Sequence, residues 1–355
     1  MEFLAADTED VVTFDEAMKD GERRIVFTGP RRSGKSSIER VIFHKMSPHE
    51  TLFLESTHDV DIHLIANNDF VKFQTWDFGG DMSLDHGVHY MGNHITTEKV
   101  LQGCSTMVYV IDAQEEDYED SLPRLVETIL AAHRVNPAIH FEVFMHKVEG
   151  DLMGEELKME RQQDVQNYVS GELAELNEDI LVSYYLTSIY DHSVLEAFSK
   201  VIQKLVTQLP TLNSLLDKLI ESCVIEKSYL LDVFTKLYIA TDANPVDGHT
   251  YELCSDLVDV VIDVSCIYGL SPHDGAAIPY DQDSSSAIRL NSGMVLYLRE
   301  VSRYLALVCV IKEEYFLKRS LLDYNINCLR HSLDLVLSES EIEFQQQQDV
   351  ISTQS

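Results

Sequence analysis

The chain has 355 residues, of which 45% are hydrophobic and 25% charged, a composition typical of a globular protein with two domains. Its formal net charge of −33 disfavours binding to nucleic acid and to anionic lipid surfaces. No uncharged apolar run approaches the length of a membrane span, so we expect no direct insertion into a membrane. The six cysteines form no C-x-x-C pair, which indicates buried thiols and neither a zinc site nor a disulfide framework.

The pattern of hydrophobic and turn-forming residues predicts two domains between two polar tails. Residues 1–22 are acidic and are predicted to be flexible. Residues 23–209 alternate strands with helices, the pattern of an α/β fold with a mostly parallel sheet. Residues 210–337 are predicted to be α+β, and residues 338–355, which contain a glutamine run, are predicted to be disordered. The strands that we predict in the first domain are Arg24–Thr28, Phe70–Asp77, Thr106–Asp112, Phe141–His146 and Leu181–Thr187. Alternating polar and apolar residues place the second of these strands, half-buried, near a sheet edge.

A complete phosphate-binding loop follows the first strand. Residues 29–36 read Gly-Pro-Arg-Arg-Ser-Gly-Lys-Ser, which matches G-x-x-x-x-G-K-S, and a helix-forming run comes next. In such a loop, backbone N–H groups surround one anion at a helix N-terminus, the lysine reaches the β- and γ-phosphates, and the serine binds Mg²⁺. The nucleotide-binding residues predicted here are Gly29, Arg31, Arg32, Ser33, Gly34, Lys35, Ser36 and Ser37. The chain is therefore predicted to bind a nucleoside phosphate together with Mg²⁺.

Two further segments supply the phosphate end of a nucleotide switch. Asp77 and Gly80 form an Asp-x-x-Gly motif, whose carboxylate would hold a magnesium-bound water and whose glycine N–H would sense a γ-phosphate. Between this motif and the phosphate-binding loop, Thr51 and Thr57 offer hydroxyls that could close on Mg²⁺ and the γ-phosphate, although a solvated loop is the alternative. The predicted metal ligands are Ser36, Thr57 and Asp77, and the predicted catalytic residues are Lys35, Asp77, Gly80 and Asp81.

The segment after the fourth strand predicts a site for the base. His146, Lys147 and Glu149 stand where GTPases place Asn-Lys-x-Asp. Lys147 would lie along the plane of the base, and the carboxylate would accept two hydrogen bonds from guanine. After the next strand, Ser188 and Ile189 lie where a backbone amide reads the guanine oxygen.

The second half of the chain carries no phosphate loop, metal-ligand spacing or nucleophile–base pair. Its predicted helices are Thr211–Glu221, Tyr251–Tyr268 and Phe316–Leu337, and its predicted strands are Tyr229–Ala240, Ile288–Arg299 and Tyr304–Ile311. Long strands and apolar helix stripes without catalytic groups predict a dimerisation or docking surface.

Several motifs resemble those of Rag GTPases of the RagC/RagD branch. They include Arg-Arg-Ser-Gly-Lys-Ser-Ser (31–37), Trp-Asp-Phe (76–78) and Leu-Thr-Ser-Ile-Tyr-Asp-His-Ser (186–193), and the likeness extends over about residues 23–335. The resemblance implies a Ras-like P-loop GTPase domain followed by a roadblock-like dimerisation domain. It also implies a heterodimer with a RagA/RagB-type GTPase, attachment to the lysosomal membrane through a scaffold complex, and regulation by GTPase-activating proteins. Such a heterodimer would recruit and activate TORC1 when amino acids are plentiful.

Two departures from this family bear on activity. The family reads Trp-Asp-Phe-Pro-Gly-Gln where this chain reads Trp-Asp-Phe-Gly-Gly-Asp, so Asp81 replaces the glutamine that orients the attacking water. A carboxylate there faces the charged γ-phosphate and cannot donate as an amide does, so we expect slow hydrolysis. Glu149 replaces an aspartate, and its extra methylene displaces the carboxylate that reads guanine. Two alternatives follow: a scaffold that holds nucleotide with little hydrolysis, and an adenine-using P-loop enzyme.

The segment 81–97 also departs from the family and contains Asp85, His86, His89 and His94. These residue types could bind a metal, but we predict a mobile loop with solvated histidines, because no ordered helix fixes their spacing.

Overall fold

The computed structural model describes residues 12–19, 23–66, 72–80, 87–150, 153–268, 284–302 and 304–354, with residues 337–354 as backbone only. Within these ranges the chain forms two compact units that divide between Val201 and Ile202. The helices of the described ranges are all too short or too polar to cross a lipid bilayer.

The first unit is built on a parallel sheet. Its strands are β1 (Arg23–Thr28), β2 (Val60–Ile65), β3 (Phe73–Phe78), β4 (Val88–Tyr90), β5 (Asn93–Ile95), β6 (Cys104–Asp112), β7 (His140–His146) and β8 (Val182–Thr187). Its helices are α1 (Phe14–Ala17), α2 (Lys35–Phe43), α3 (Thr97–Gln102), α4 (Leu122–Val135), α5 (Glu155–Glu175) and α6 (Ser193–Gln203). Six strands form one sheet in the order β2-β3-β1-β6-β7-β8, parallel except for the pair β2–β3. The predicted α/β class is confirmed, and the carboxyl ends of the parallel strands share one edge, where α/β proteins bind ligands.

The edge of this sheet differs from the prediction. Strand β2 pairs with β3 in antiparallel register and forms the outermost strand. Because β2 covers that side, every residue of β3 is buried, so the predicted half-burial is wrong. The predicted place near the sheet edge is right, since among the described strands β2 alone lies outside β3. Trp76, at 0% exposure, lies in the core, and its indole N–H donates to Gln74.

Part of the N-terminal segment predicted to be flexible is ordered. Residues 12–19 include α1, which begins with a capping box between Thr13 and Glu16. Three side chains of the first unit donate to backbone carbonyls of this segment: Arg24 to Ala17 at 3.1 Å, Gln74 to Glu16 at 2.9 Å and Tyr90 to Val12 at 2.7 Å. These bonds and the burial of Val12 and Ala17 hold the segment on the domain, so the prediction of flexibility fails there.

The histidine-containing segment is also more regular than expected. Strands β4 and β5 form a hairpin in which His89 and His94 face each other, with ring centroids 5.1 Å apart. Both side chains are exposed, as predicted, but they lie on paired strands and not in a mobile loop. Asp81, Asp85 and His86 lie outside the described residues.

The second unit combines an antiparallel sheet with helices, and the predicted α+β class is confirmed. Its strands are β9 (Ile225–Asp232), β10 (Tyr238–Thr241), β11 (Ser285–Arg289), β12 (Met294–Ser302) and β13 (Leu305–Lys312), in the order β10-β9-β13-β12-β11. Its helices are α7 (Leu209–Cys223), α8 (Gly248–Tyr268), α9 (Glu313–Phe316) and α10 (Arg319–Gln354). Helix α10 extends through the tail that was predicted to be disordered.

Two predicted long strands are each divided by a turn. Asp232 ends β9 and accepts hydrogen bonds from the backbone N–H and hydroxyl of Thr235, at 2.6 and 2.8 Å, which turns the chain toward β10. Gly293, with φ of 80°, allows the tight turn between β11 and β12. A period-two pattern continues across such short turns, so the sequence alone did not show where the strands end.

Candidate nucleotide-binding site

The phosphate-binding loop connects β1 to α2 at the ligand-binding edge of the sheet. Gly29 and Gly34 adopt φ of 129° and 106°, which only glycine tolerates without strain. Gly34 is the N-cap residue of α2, and backbone N–H groups at a helix N-terminus can bind an anion. The buried Lys35 ammonium donates to the carbonyls of Gly29 at 3.0 Å and Pro30 at 2.7 Å. The loop thus folds around a lysine held at its centre.

Three oxygen-bearing side chains meet at the start of α2. The hydroxyl oxygens of Ser36 and Thr57 lie 3.0 Å apart, and the Thr57 hydroxyl lies 3.3 Å from Oδ2 of Asp77. Ser36 also donates to that Oδ2. Asp77 is 2% exposed, and its other oxygen, Oδ1, is buried without a hydrogen-bond partner. Burial raises the pKa of Asp77 to about 6, against the hydrogen bond from Ser36 and the charge of Lys35. This set of hard oxygen donors and an unsatisfied buried carboxylate fits Mg²⁺, which would compensate the buried charge.

The remaining predicted phosphate-end residues take different positions. Gly80 lies against the backbone of Arg31, where a side chain on residue 80 would clash, so glycine lets the end of β3 approach the phosphate-binding loop. Thr51 lies near the cavity, but its hydroxyl donates to the carbonyl of Pro48 at 2.7 Å. Of the two threonines, Thr57 is therefore the one beside Asp77.

The residues predicted for the base lie at the ends of β7 and β8. Lys147 donates to Asp112 Oδ2 at 2.5 Å and to the Arg32 carbonyl at 2.7 Å, which links the phosphate-binding loop to the base end. The two oxygens of Glu149 accept from Ser188 Oγ at 3.0 Å and from Gln114 Nε2 at 2.5 Å. The Glu149 carboxylate is therefore held in place by two neighbouring side chains.

His146 replaces the asparagine of the usual motif and is buried. Its Nδ1 lies 3.0 Å from the Thr187 hydroxyl. Burial, with the nearby Lys147 charge, lowers the pKa of His146 to about 3, so the ring is neutral at physiological pH. The ring lies against Gly34, where an added Cβ would be 2.5 Å from Cδ2. His146 therefore packs against the phosphate-binding loop at Gly34.

These groups surround a cavity of about 800 Å³, within the size range of small-molecule sites. Predicted residues in its wall are Arg31, Arg32, Gly34, Lys35, Ser36, Ser37, Thr51, Thr57, Gly80, His146, Lys147, Glu149 and Ile189. Gly29, Ser33, Asp77 and Ser188 are not in its wall, and Asp81 lies outside the described residues. Wall residues that the sequence did not indicate are Leu52, Leu54, Glu55, Ser56, Phe78, Gly79, Gln114 and Tyr190. Most of them adjoin a predicted motif, whereas Gln114 reaches the base end only because β6 and β7 are neighbours.

Comparison with known proteins places this arrangement in a family. Residues 24–258 match the family model described as "Gtr1/RagA G protein conserved region". The chain belongs to this family of G proteins. It is 50% identical over 311 residues to human "Ras-related GTP-binding protein C", a match that covers 87% of this chain and 75% of the relative.

Two other relatives agree with this assignment. Mouse "Ras-related GTP-binding protein D" is also 50% identical, covering 87% of this chain and 67% of its own length. Fission yeast (Schizosaccharomyces pombe) "GTP-binding protein gtr2" is 43% identical over 319 residues, covering 89% of this chain and 98% of its own length. The resemblance to the RagC/RagD branch is confirmed, and membership of a G-protein family gives guanine nucleotide as the ligand class.

Proposed function

We propose that this G protein is a RagC/RagD-like switch subunit that binds GTP or GDP with Mg²⁺ and hydrolyses GTP slowly. The observation that carries the proposal is the meeting of Ser36, Thr57 and Asp77 at the start of α2. Ser36 and Asp77 belong to regular elements, whereas Thr57 lies in the irregular segment before β2. A bound γ-phosphate would favour the arrangement in which Thr57 lies beside Asp77. Loss of the γ-phosphate on hydrolysis would free the irregular segment that contains Thr57.

Some residues of the site would bind the nucleotide, and others would act in hydrolysis. Mg²⁺, held by Ser36, Thr57 and Asp77, would neutralise charge on the β- and γ-phosphates. Lys35 and the backbone N–H groups of the loop bind the phosphates, and Glu149 and Lys147 orient guanine. In the sequence, Asp81 stands where the family has the water-orienting glutamine, and we expect its negative charge to slow hydrolysis.

The second candidate function, a scaffold that holds nucleotide without turnover, is favoured by Asp81. Single-turnover hydrolysis of bound GTP, with the partner subunit present, separates the two functions. We expect slow hydrolysis by the natural chain and faster hydrolysis by Asp81→Gln, because an amide can orient water without repelling the γ-phosphate. No hydrolysis in either protein would favour the scaffold.

The identity of the bound nucleotide tests the proposal directly. We expect GTP or GDP to copurify with the full chain and to be identified by chromatography. In competition, excess GTP should displace a labelled guanine nucleotide and equal ATP should not. Displacement by ATP as readily as by GTP would overturn the base assignment and favour an adenine-using enzyme.

We further propose that the chain acts in a heterodimer with a RagA/RagB-type GTPase. The roadblock-like second domain, residues 210–337, would provide the contact, and a lysosomal scaffold complex would hold the dimer at the lysosomal membrane. In response to amino acids the dimer would recruit and activate TORC1, with GTPase-activating proteins setting the nucleotide state. The confirmed RagC/RagD resemblance supports these partners, as does a second unit that carries exposed apolar residues on its helices. Pull-down of a RagA/RagB-type subunit, the scaffold and a TORC1 subunit from cells with and without amino acids tests this proposal.

A further inference from the structure

A cluster of two histidines and a glutamate lies outside the nucleotide cavity. Glu39 belongs to α2, His44 is the residue that ends this helix, and His63 lies on the edge strand β2. The Glu39 carboxylate is 1% exposed, and its Oε1 lies 3.0 Å from His44 Nε2 and 3.0 Å from His63 Nδ1. In the described part of the chain these residues form the group of three His, Cys, Asp or Glu side chains whose ligand atoms all lie within 4.8 Å of one another.

The two nitrogen–oxygen distances in this cluster are compatible with ligands of a small cation. Zn²⁺ binds imidazole nitrogen and carboxylate oxygen at about 2.0–2.2 Å, which in a tetrahedral site places ligand atoms about 3.3 Å apart. The two observed nitrogen–oxygen distances are close to this value. His63 Nδ1 is buried and is not satisfied by a regular hydrogen bond, although Glu39 Oε1 lies 3.0 Å away. A cation between the three atoms would satisfy this nitrogen.

The surroundings also fit a metal site. Thr75, which is paired with His63 across β2 and β3, donates its hydroxyl to Glu39 Oε1 at 3.2 Å and orients the carboxylate. The histidine side chains are 26% and 16% exposed, which leaves a route for entry from solvent. Arg40 lies 3.7 Å from the other carboxylate oxygen, Oε2, and leaves Oε1 available.

We propose that Glu39, His44 and His63 bind a first-row transition-metal dication, represented by Zn²⁺, through one carboxylate oxygen and two imidazole nitrogens. Water completes the coordination. Imidazole together with a single carboxylate favours zinc-like metals over Mg²⁺, which prefers oxygen ligands. The site would link α2, which begins with the phosphate-binding Lys35 and Ser36, to β2, which begins three residues after Thr57.

Protons compete with the metal at this cluster. Burial acts to raise the pKa of Glu39, but the contacts and charges of the two histidines outweigh it and lower that pKa to about 2. Burial lowers the pKa of His63, but Glu39 outweighs this effect and raises it above 6.5. Metal binding needs neutral imidazoles, so binding should release protons and weaken as the solution becomes acidic.

The test uses the full chain saturated with GDP and Mg²⁺, so that the nucleotide site is filled. Zn²⁺ binding is measured by calorimetry, and Co²⁺ is used as a spectroscopic probe of coordination. We expect one Zn²⁺ per chain, a Co²⁺ spectrum typical of mixed nitrogen and oxygen ligands, and a higher Tm with Zn²⁺. Glu39→Gln and His63→Gln should each weaken Zn²⁺ binding at least tenfold while GDP stays bound.

The matched control is His89→Gln, which removes one of the two facing histidines of the β4–β5 hairpin. It should leave Zn²⁺ binding unchanged. If Glu39→Gln does not fold, the test is made with His44→Gln. This variant should fold, because the His44 side chain is partly exposed and lies at the C-terminal end of α2. Unchanged Zn²⁺ affinity in the folded cluster variants, or loss of binding in His89→Gln alone, would overturn the proposal. In that case the cluster is a hydrogen-bonded ion group that joins α2 to the sheet.

Discussion

Ser36 and Thr57 lie 21 positions apart in the sequence, yet their hydroxyl oxygens are 3.0 Å apart and both contact Oδ2 of Asp77. The helix α2 and the strand β3 fix Ser36 and Asp77, so regular structure positions two of the three predicted metal ligands. Thr57 is the member that a change of nucleotide can displace with little disruption of regular structure. The switch proposal depends on this difference between the three residues.

The first prediction concerns the serine. Ser36→Asn should weaken GTP binding at least tenfold more than GDP binding, about 1.4 kcal/mol, because the metal bridges the β- and γ-phosphates only in GTP. Binding of fluorescent GTP and GDP analogues provides the measurement. The control is Ser37→Asn, the adjacent cavity residue, which should affect both nucleotides alike. Equal affinities for the two nucleotides in Ser36→Asn would contradict the metal assignment.

The second prediction follows from the pKa of Asp77, which burial raises from 3.8 to about 6. Without nucleotide and Mg²⁺, the folded protein binds this proton more tightly than the unfolded chain does. The buried charge therefore destabilises the fold above about pH 6, and the cost disappears as the pH falls toward about 4. Asp77→Asn should raise the Tm of the nucleotide-free protein at neutral pH, and the difference should shrink in acid.

Thermal unfolding in a chelator, across this pH range, measures the effect. Asp120→Asn, which alters an exposed carboxylate, is the control and should change the Tm little. The same proton should compete with Mg²⁺, so magnesium-dependent GTP binding should weaken below about pH 6. If the Tm of Asp77→Asn at neutral pH is equal to or below that of the natural chain, the buried Asp77 charge does not destabilise the fold.

The third prediction concerns Gly34 and His146. Gly34→Ala should lower the free energy of unfolding by about 1–3 kcal/mol, because alanine is strained at the positive φ of this position. The added Cβ would also clash with the His146 ring. Nucleotide affinity should fall as well, because the ring packs against the phosphate-binding loop. Gly154→Ala, where nothing lies within 4 Å of an added Cβ, is the matched control. Nucleotide affinity and Tm are measured on both variants. If Gly34→Ala changes them no more than Gly154→Ala does, the contact between residue 34 and the His146 ring does not matter.

Much of the site could be predicted because its motifs are local. A phosphate-binding loop needs glycine, lysine and serine at fixed spacing, and strand ends in a parallel sheet share one edge, so Asp77 and Glu149 could be placed from their positions alone. Gln114 could not, because its contact with Glu149 depends on the pairing of β6 and β7. The cluster of Glu39, His44 and His63 could not be predicted either, because it depends on the pairing of β2 with β3 and the sequence did not predict β2.

The fourth prediction concerns the base-reading carboxylate. Glu149→Asp should tighten GTP and GDP binding, because it restores the shorter side chain that guanine recognition uses in the family. Gln114 and Ser188 each occupy one oxygen of Glu149, so the gain depends on whether they follow the shorter side chain. Nucleotide affinities of Glu149→Asp, alone and combined with Gln114→Ala, measure this dependence. Weaker binding by Glu149→Asp alone would show that the loop is fitted to glutamate.

The last prediction concerns the heterodimer. Helix α8 packs one apolar face on its own sheet, and Val260, Val264 and Ile267 line another face at helical spacing, 47%, 51% and 69% exposed. A contiguous exposed apolar stripe indicates a protein contact. Val264→Asp should therefore weaken association with a RagA/RagB-type partner at least tenfold, and truncation before Thr211 should abolish it.

Size-exclusion chromatography with the partner provides the measurement, with GDP binding as the check on folding. Leu176→Asp, which alters an exposed leucine of the first unit, is the control and should coelute normally. A truncated GTPase domain that coelutes as tightly as the full chain would place the contact in residues 23–209 instead.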